Sequence, residues 1–264
     1  MANAQHRGLT CESPLRYCEF SMKSALKSFP VLAPHALLRM PGPVTDKSQA
    51  PLDEYFNSLF TTLGPQHWWP AKSPFEVIVG AILTQSTAWT NVERALANLR
   101  RAELLTPAAI EHISLRRLEN LIQSSGYWRQ KARALKSFVR FLRREYRGSL
   151  KRMFETSTLV LREKLIGVFG IGPETADSIL LYAGQHGVFV VDAYTKRMLV
   201  RHGWANPDAK YDEIRWQFER RFPGNVSKFN EFHALIVAAG KNWCRKTDPK
   251  CDECPLGRYL QEGR

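Results

Sequence analysis

The stretch VFGIGP, residues 168–173, joins two segments with the hydrophobic periodicity of helices and predicts a helical hairpin. Two glycines in so short a turn let a ligand approach the backbone, and a proline suits the first position of the helix that follows. The first N–H groups of that helix have no partner within it and can bind an anion. An ordinary helix connection capped by glycine would give the same pattern. The candidate phosphate-contact residues are Gly170, Gly172, Pro173, Glu174 and Thr175.

The chain beyond its first fifty residues is helical in pattern. Apolar residues recur at helical spacing from Leu52 onward, and no convincing run of alternating β-branched residues occurs. We therefore predict an all-α fold. Residues 1–50 carry prolines among polar residues without a sustained period, which predicts a poorly ordered N-terminal extension. The predicted helices span residues 52–63, 74–83, 89–99, 107–113, 115–123, 127–145, 159–168, 173–182, 193–202, 211–220 and 226–241.

The charge of the chain favours a polyanionic partner. The 264 residues carry a formal net charge of +13, and 44% of them are hydrophobic, enough to bury a core. Charge alone suits DNA, RNA or an anionic membrane equally. No stretch approaches the roughly 20 apolar residues that span a bilayer, and the first residues lack a secretory pattern. We therefore expect a cytoplasmic protein, in the bacterial cytosol or nucleoid, that acts as a monomer without a membrane partner.

A carboxylate follows the hairpin at a defined distance. Asp192 comes after the apolar run VFVV, residues 188–191, and opens another helix about twenty residues beyond Gly172. As a plain helix N-cap it would satisfy backbone donors of that helix, a role compatible with catalysis. The combination of hairpin and aspartate resembles the helix-hairpin-helix (HhH-GPD) DNA glycosylases related to endonuclease III, over roughly residues 52–256.

This resemblance implies a base-excision-repair enzyme that acts on double-stranded DNA containing a damaged base. It implies a two-lobed helical fold, with a core over residues 51–240, a central lobe at about 90–195 and a C-terminal cysteine loop over 241–264. It also implies that Asp192 is catalytic. Breaking the glycosidic bond builds positive charge on the sugar, which a fixed carboxylate stabilises, and the carboxylate can activate water. The base must first rotate out of the stack.

The residue two positions after Gly172 separates two kinds of family member. Members that also nick the backbone carry a lysine there, and its amine attacks the sugar to form a Schiff base. This chain has Glu174, which cannot form that imine, so the resemblance implies a monofunctional enzyme that leaves an abasic site. We interpret Lys164 and Lys196, which do not occupy the matching position, as surface or phosphate-contact lysines.

Tryptophans and a glutamine indicate where the base would bind. Trp68, Trp69 and Pro70 precede the first core helices, and Trp89 follows a Leu-Thr-Gln segment. Both segments resemble the 3-methyladenine DNA glycosylase III subgroup, in which such residues line the base pocket. A cationic alkylated purine would gain cation–π attraction there, although ordinary packing is the alternative for each tryptophan. Gln85 matches a position from which relatives fill the gap left by the flipped base.

The C-terminal segment has a metal-ligand pattern. Cys244, Cys251 and Cys254, separated by six and two residues, match the first three ligands of the four-iron four-sulfur loop found in many endonuclease III relatives. The fourth ligand position holds Leu260. A cluster with one iron that lacks a thiolate is one interpretation, and a loop without metal is another.

Other ligand sets and other functions fit parts of the pattern. Cys11 or Cys18 could supply a fourth thiolate, and His233 could complete a zinc site. Within the glycosylase class, the substrate could instead be uracil, a mismatched thymine or an oxidised base. Outside it, the chain could be a noncatalytic DNA-binding module that only grips phosphates, or an RNA-binding protein on charge alone.

Overall fold

Twelve α-helices and no strand make up the part of the chain that the computed structural model describes, residues 49–69 and 71–260. The predicted all-α class is confirmed. The α-helices are α1 (Leu52–Leu63), α2 (Pro74–Leu83), α3 (Trp89–Arg101), α4 (Pro107–His112), α5 (Leu115–Leu121), α6 (Trp128–Tyr146), α7 (Leu150–Phe154), α8 (Thr158–Ile166), α9 (Pro173–Ser178), α10 (Ala193–Arg201), α11 (Tyr211–Arg221) and α12 (Val226–Asn242). The predicted N-terminal extension lies outside the described residues, apart from Gln49 and Ala50.

Three local features differ from the sequence prediction. Helix α7 was not predicted, because its five residues are too few to display a period. Helix α6 begins one residue late, since Tyr127 has a left-handed φ of 46°. The predicted helix 173–182 is α9 followed by a π-helical turn, Ile179–Ala183. A π turn inserts one residue into the helical ladder and so redirects the side chains that follow.

The helices form two groups that share α2 and the π turn. Helices α4, α5 and α7 pack around α6, and α3 packs on α5 and the turn that precedes α6. Helices α1 and α10 pack against α12. Helix α2 contacts α6 as well as the π turn, and the π turn contacts α12. The described residues form one compact unit that contains these two groups, and the predicted lobe boundaries stay a prediction. None of the described helices has the length and apolar character that crossing a bilayer requires.

Part of the positive charge of α6 serves the fold and not a ligand. Lys131 is buried, and its Nζ donates to the carbonyls of Leu83, at 2.9 Å, and Ser125, at 2.5 Å. Burial lowers its pKa to about 8. Lys136 likewise donates to the carbonyls of Glu111 and Ile113 at the end of α4. These lysines tie α6 to the ends of its neighbours.

A buried ion-pair network fixes the hairpin to α11. Asp177 in α9 is fully buried and accepts two hydrogen bonds from Arg162 in α8, at 2.7 and 3.0 Å. Arg162 also donates to Asp212 in α11 at 2.8 Å. A bidentate guanidinium–carboxylate pair is strongly directional, so α8, α9 and α11 are held in one orientation.

Candidate active site

The hairpin turn lies between α8 and α9, and its two glycines differ in what they allow. Gly170 has a φ of +81°, in the left-handed region, and a Cβ there would lie 2.6 Å from the Cβ of Ala134. Gly172 has an ordinary φ of −91° and would place a Cβ in open space. The fold therefore requires glycine at 170, whereas Gly172 leaves an exposed stretch of backbone at the start of α9.

Asp192 caps the N-terminus of α10 and faces His233. Its Oδ1 accepts hydrogen bonds from the backbone N of Thr195, at 2.8 Å, and from the Thr195 Oγ1, at 3.0 Å. Its Oδ2 lies 3.6 Å from the Nε2 of His233. The side chain is 14% exposed. One oxygen is thus committed to the helix cap, and the other remains for a ligand.

The charge state of Asp192 follows from its neighbours. Burial alone would raise the pKa of the carboxyl, but the nearby His233 and the hydrogen bonds from Thr195 outweigh burial and hold that pKa below its ordinary value of 3.8. The positive end of the α10 dipole acts in the same direction. Asp192 is therefore a carboxylate at neutral pH.

The segment before Asp192 is anchored from α11. Residues 188–191 are buried, and the backbone N of Val191 donates to the Oη of Tyr211 at 3.2 Å. Tyr211 opens α11, the helix that the Arg162 network ties to the hairpin. The position of Asp192 is thereby fixed relative to α9.

Aromatic rings meet beside the last turn of α2. The ring of Trp69 lies 5.2 Å from that of Trp89, nearly perpendicular at 86°, and 5.1 Å from the ring of Tyr182. A Cβ on Gly80 would come within 3.1 Å of the Trp69 ring, so this glycine lets the indole lie directly on α2. The structure brings Trp69 and Trp89 together, as the pocket prediction requires.

The other two residues of the predicted pocket stand apart from this pair. Trp68 is half-buried with its ring 6.2 Å from that of Trp69, and its Nε1 has no hydrogen-bond partner among the described residues. The Nζ of Lys241 lies 5.8 Å from the Trp68 ring. Pro70 lies outside the described residues.

Gln85 is bound to the hairpin. Its Nε2 donates to the carbonyl of Gly170 at 2.9 Å and to the Oγ1 of Thr175 at 3.1 Å. Thr175 is only 6% exposed, so its side chain holds Gln85 and has little surface left for DNA. Pro173 is exposed at the first position of α9.

Two exposed aromatic side chains flank Gln85, and sequence reasoning did not single them out. Tyr127 is 66% exposed and Phe169 57%, and both line one open groove with Gln85 and Gly170. A large exposed apolar surface of this kind marks a contact site. A glycine followed by an aromatic residue at a helix start, Gly126 and Tyr127, was the available signal.

Comparison with known proteins agrees with this geometry. Residues 79–224 match the HhH-GPD superfamily base excision DNA repair protein family. A Methanocaldococcus jannaschii protein that carries the name DNA repair glycosylase is 46% identical over 77% of this chain and 93% of its own length. The chain belongs to the HhH-GPD superfamily of base excision DNA repair proteins. It is a DNA glycosylase by class.

Solved structures support the fold of this HhH-GPD protein. A trapped endonuclease III–DNA covalent intermediate superposes with a TM-score of 0.69 at 22% identity, covering 80% of this chain and 95% of that one. A 3-methyladenine DNA glycosylase of H. pylori bound to 1,N6-ethenoadenine superposes with a TM-score of 0.62 at 29% identity, covering 72% and 95%. Two of the structural neighbours, endonuclease III structures at 22% and 24% identity, are complexes with DNA, and they support the fold of this HhH-GPD protein.

Glu174 lies in the first turn of α9, facing Asp192. Burial of its carboxyl, and next the negative charge of Asp192, raise its pKa from 4.5 to about 7, while His233 opposes the rise. The residue as a whole is exposed, so solvent weakens these effects. In this HhH-GPD protein the carboxyl of Glu174 is therefore close enough to Asp192 for the two charges to interact.

The lysines near the site already have other partners. Lys164 donates to Glu145 at 3.3 Å, and Lys196 donates to the carbonyl of Ala209 at 2.9 Å. Lys131 lines the groove of Gln85, but two carbonyls accept from its amine. In this HhH-GPD protein each of these three amines thus donates a hydrogen bond to another group of the protein.

Tyr182 connects the aromatic rings to the aspartate. Its Oη lies 2.5 Å from the Nδ1 of His233, whose Nε2 faces Asp192. Sequence reasoning missed Tyr182, although residues 174, 178 and 182 recur at a helical interval that predicts a common face. His233 was considered only as a zinc ligand, and among the described residues no group of three or more histidine, cysteine or acidic side chains is placed to hold a metal ion with it.

The three C-terminal cysteines line one small pocket together with Leu260. Cys244 is buried, and Arg201 Nη1 donates to its Sγ at 3.0 Å. Burial, and then the neighbouring thiols, raise the pKa of Cys254. Among the described residues no group of three or more histidine, cysteine or acidic side chains is spaced to hold a single metal ion. Cys11 and Cys18 lie outside the described residues.

Proposed function

We propose that this protein hydrolyses the N-glycosidic bond of an alkylated purine resembling 3-methyladenine in double-stranded DNA and leaves an abasic site. The observation that carries the proposal is the contact of the Trp69, Trp89 and Tyr182 rings, with Tyr182 linked through His233 to an ionised Asp192. The similarity to the H. pylori 3-methyladenine DNA glycosylase, whose structure holds 1,N6-ethenoadenine, supports it.

Hydrolysis of the N-glycosidic bond of an alkylated purine requires mainly stacking of the base and one carboxylate. A purine methylated on a ring nitrogen is cationic, so it is a good leaving group and is attracted to the faces of tryptophan and tyrosine. As the bond breaks, positive charge moves to the sugar, where the Oδ2 of Asp192 would stabilise it and orient the attacking water. Because Asp192 is ionised at neutral pH, it is ready for this role without prior proton loss.

The absence of lyase chemistry rests on Glu174. A carboxyl group cannot form the imine that strand cleavage by this route requires. The site lysines Lys131, Lys164 and Lys196 donate hydrogen bonds to other groups. Base loss would therefore leave an intact strand that breaks only under alkali.

DNA would lie over the hairpin and the Gln85 groove. The exposed backbone of Gly172 and the first turn of α9 would bind a phosphate, since unpaired N–H groups and the helix dipole both favour an anion. Gln85, Tyr127 and Phe169 would contact the duplex where the base has left the stack. The net charge of +13 would raise the association rate.

We further propose that the cysteine pocket holds an iron–sulfur cluster bound by Cys244, Cys251 and Cys254. Three thiols around one pocket, with Arg201 as a cationic neighbour, fit such a group. The side chain of Leu260 cannot ligate iron, so one iron would lack a thiolate from the described residues. When bound, the cluster would supply structural support to the basic loop. Iron and sulfide content and the visible absorbance of anaerobically purified protein test this directly.

The deciding experiment uses duplex oligonucleotides that carry 7-methylguanine, 1,N6-ethenoadenine, uracil, mispaired thymine or 8-oxoguanine. Strand breaks are scored before and after hot alkali, and borohydride is added to trap any imine. We expect breaks at alkylated purines only after alkali, and no trapped complex.

Each other outcome identifies an alternative. Preference for uracil, mispaired thymine or 8-oxoguanine would replace the alkylpurine assignment. A borohydride-trapped complex would establish a lysine nucleophile and a lyase. Tight DNA binding without base loss on any substrate would favour a noncatalytic module.

A further inference from the structure

We infer that His233, oriented by Tyr182, is a positioning residue that keeps the Oδ2 of Asp192 aimed and charged for catalysis. This inference rests on the proposed catalytic role of Asp192 and does not depend on which lesion is excised. Nothing in the family pattern of hairpin, aspartate and cysteines includes either residue.

The two ring nitrogens of His233 differ in their hydrogen bonding. Its side chain is 7% exposed, and its two ring nitrogens face different groups. Nδ1 is 2.5 Å from Tyr182 Oη, whereas Nε2 is buried without a hydrogen-bond partner among the described residues and lies 3.6 Å from Asp192 Oδ2. A buried polar nitrogen left without a partner is costly, so a small closing movement towards the carboxylate is favourable.

The neighbours of His233 determine which of its ring nitrogens carries the proton. The Asp192 carboxylate can only accept, so it favours a proton on Nε2 of His233, and the Nδ1 lone pair then accepts from the Tyr182 hydroxyl, which burial keeps protonated by raising its pKa. A neutral imidazole that accepts at Nδ1 carries its proton at Nε2. That N–H then faces Asp192, whereas the other tautomer would turn a lone pair towards a carboxylate. Asp192 and Tyr182 thus favour the same tautomer of His233.

Four groups face the carboxylate of Asp192. The carboxylate is faced by His233 from α12, by Glu174 from α9 and by Tyr182 from the π turn, and within its own helix by Thr195. Thr195 occupies Oδ1 only. Without His233, Oδ2 would be buried next to a second carboxyl group with no donor, and the pair would hold a proton more tightly.

Tyr182 lies between Trp69 and His233. Its ring packs 5.1 Å from that of Trp69, while its hydroxyl reaches His233. It lies in the π turn, a local form that is often found at functional sites. One side chain therefore contacts both the predicted base pocket and the partner of the aspartate.

The experiment compares His233→Phe, His233→Gln, Tyr182→Phe and the double phenylalanine variant with wild type. Phenylalanine keeps a flat ring among the neighbouring aromatics but donates nothing, and glutamine restores an N–H. Single-turnover base release is measured from pH 5 to 9 on the lesion that wild type excises fastest, with DNA Kd measured in parallel. Thermal unfolding verifies folding.

We expect His233→Phe to slow base release about 100-fold at neutral pH with DNA Kd unchanged, because the carboxylate is no longer aligned. Tyr182→Phe should slow it about tenfold, the worth of one hydrogen bond. The double variant should be no slower than His233→Phe, since the hydroxyl acts through the imidazole. His233→Gln should recover part of the rate.

The pH profile separates positioning from simple packing. Loss of the donor raises the pKa of Asp192, so a fall in rate at acidic pH, which lies below the measured range in wild type, should enter that range in His233→Phe. Wild-type rates, or reduced rates with an unmoved profile and additive losses, would overturn the inference. Should His233→Phe not fold, the profile of Tyr182→Phe decides.

Asp192→Asn is run alongside to separate this inference from the proposed function. If wild type releases no base, or if Asp192→Asn retains full activity, the proposed function fails. If Asp192→Asn is inactive while the His233 and Tyr182 variants match wild type, only the positioning role fails.

Discussion

The two ends of α10 carry two sites that differ in completeness. At the N-terminal end, Asp192 receives two hydrogen bonds from Thr195 and faces His233. At the C-terminal end, Arg201 donates to the Sγ of Cys244, yet the pocket there has a leucine where the pattern expects a ligand. The complete site is built from one helical turn and a neighbouring helix, and the incomplete one from a loop.

The difference shows which elements determine the geometry of each site. A carboxylate that caps a helix has its geometry set by that helix. A cysteine pocket is walled by α10, α12 and the loop, so it persists when one ligand position becomes apolar. The helix dipole adds to the contrast, because its positive end favours Asp192 and its negative end leaves thiolates dependent on nearby arginines.

The largest effect should come from Asp192→Asn. We expect base release to fall about 10³-fold with DNA affinity retained, because the amide cannot stabilise positive charge on the sugar. Single-turnover kinetics and a binding titration measure the two quantities. Asp208→Asn, at an exposed loop carboxylate, is the matched control. Equal losses of base release in Asp192→Asn and Asp208→Asn would mean that Asp192 has no specific role in the reaction.

The next largest effect is expected from Gly240→Ala, which tests whether the packing of α10 on α12 holds both ends of α10 in place. Helix α10 packs on α12, and a Cβ on Gly240 would overlap the ring of Tyr194. We expect the free energy of unfolding to fall by about 1–3 kcal/mol in urea titrations. Adding Tyr194→Ala should restore part of the loss by removing the overlap. Full stability of the single variant would contradict the close packing of the two helices.

A smaller effect is expected from Leu260→Cys, which would complete the C-terminal site. A fourth thiolate should make the proposed cluster last several-fold longer in air, since no iron is left open to solvent. Decay of visible absorbance under oxygen measures this, and Leu260→Ser controls for the loss of the leucine. Identical decay in all three proteins would exclude the Leu260 position from the cluster.

The smallest effect concerns the second carboxyl group at the N-terminal end. The folded pKa of Glu174, about 7, lies above its ordinary value of 4.5, so the folded protein binds this proton more tightly than the unfolded chain. Stability from this group is therefore present below about pH 4.5 and is lost as the pH rises to about 7.

Glu174→Gln removes that dependence. The difference in unfolding free energy, variant minus wild type, should rise between those pH values and stay level outside them, as followed by urea unfolding at several pH values. The rise should be modest because the residue is exposed. Glu213→Gln, whose side chain instead accepts from the backbone of Lys210, is a control. A flat difference would place the Glu174 carboxyl in solvent.

The sequence was sufficient wherever a site is built from near neighbours. The hairpin glycines and the capping position of Asp192 lie within short segments whose backbone is determined locally. The family resemblance assigned Trp69 and Trp89 to one base pocket, and their rings are in contact, while the pocket itself stays a prediction.

What the sequence could not provide are contacts across long separations. Tyr182 and His233 are 51 residues apart, and no periodicity relates them. The π turn that directs Tyr182 has no sequence signature comparable to a cap. Tyr127 was placed inside a helix because its neighbours have helical spacing, whereas it takes a left-handed conformation before that helix. Pro70 stays a prediction.

The missing side chain of Gly80 has a consequence for substrate choice. Because the Trp69 indole rests on the main chain of α2, the width of the pocket on that side is set by a helix and not by rotamers. A side-chain wall can be remodelled by a single substitution, but a helix cannot retreat without repacking both lobes. Acceptance of bulkier lesions should therefore evolve on the Trp89 side, leaving the Trp69 side unchanged among enzymes of different substrate range.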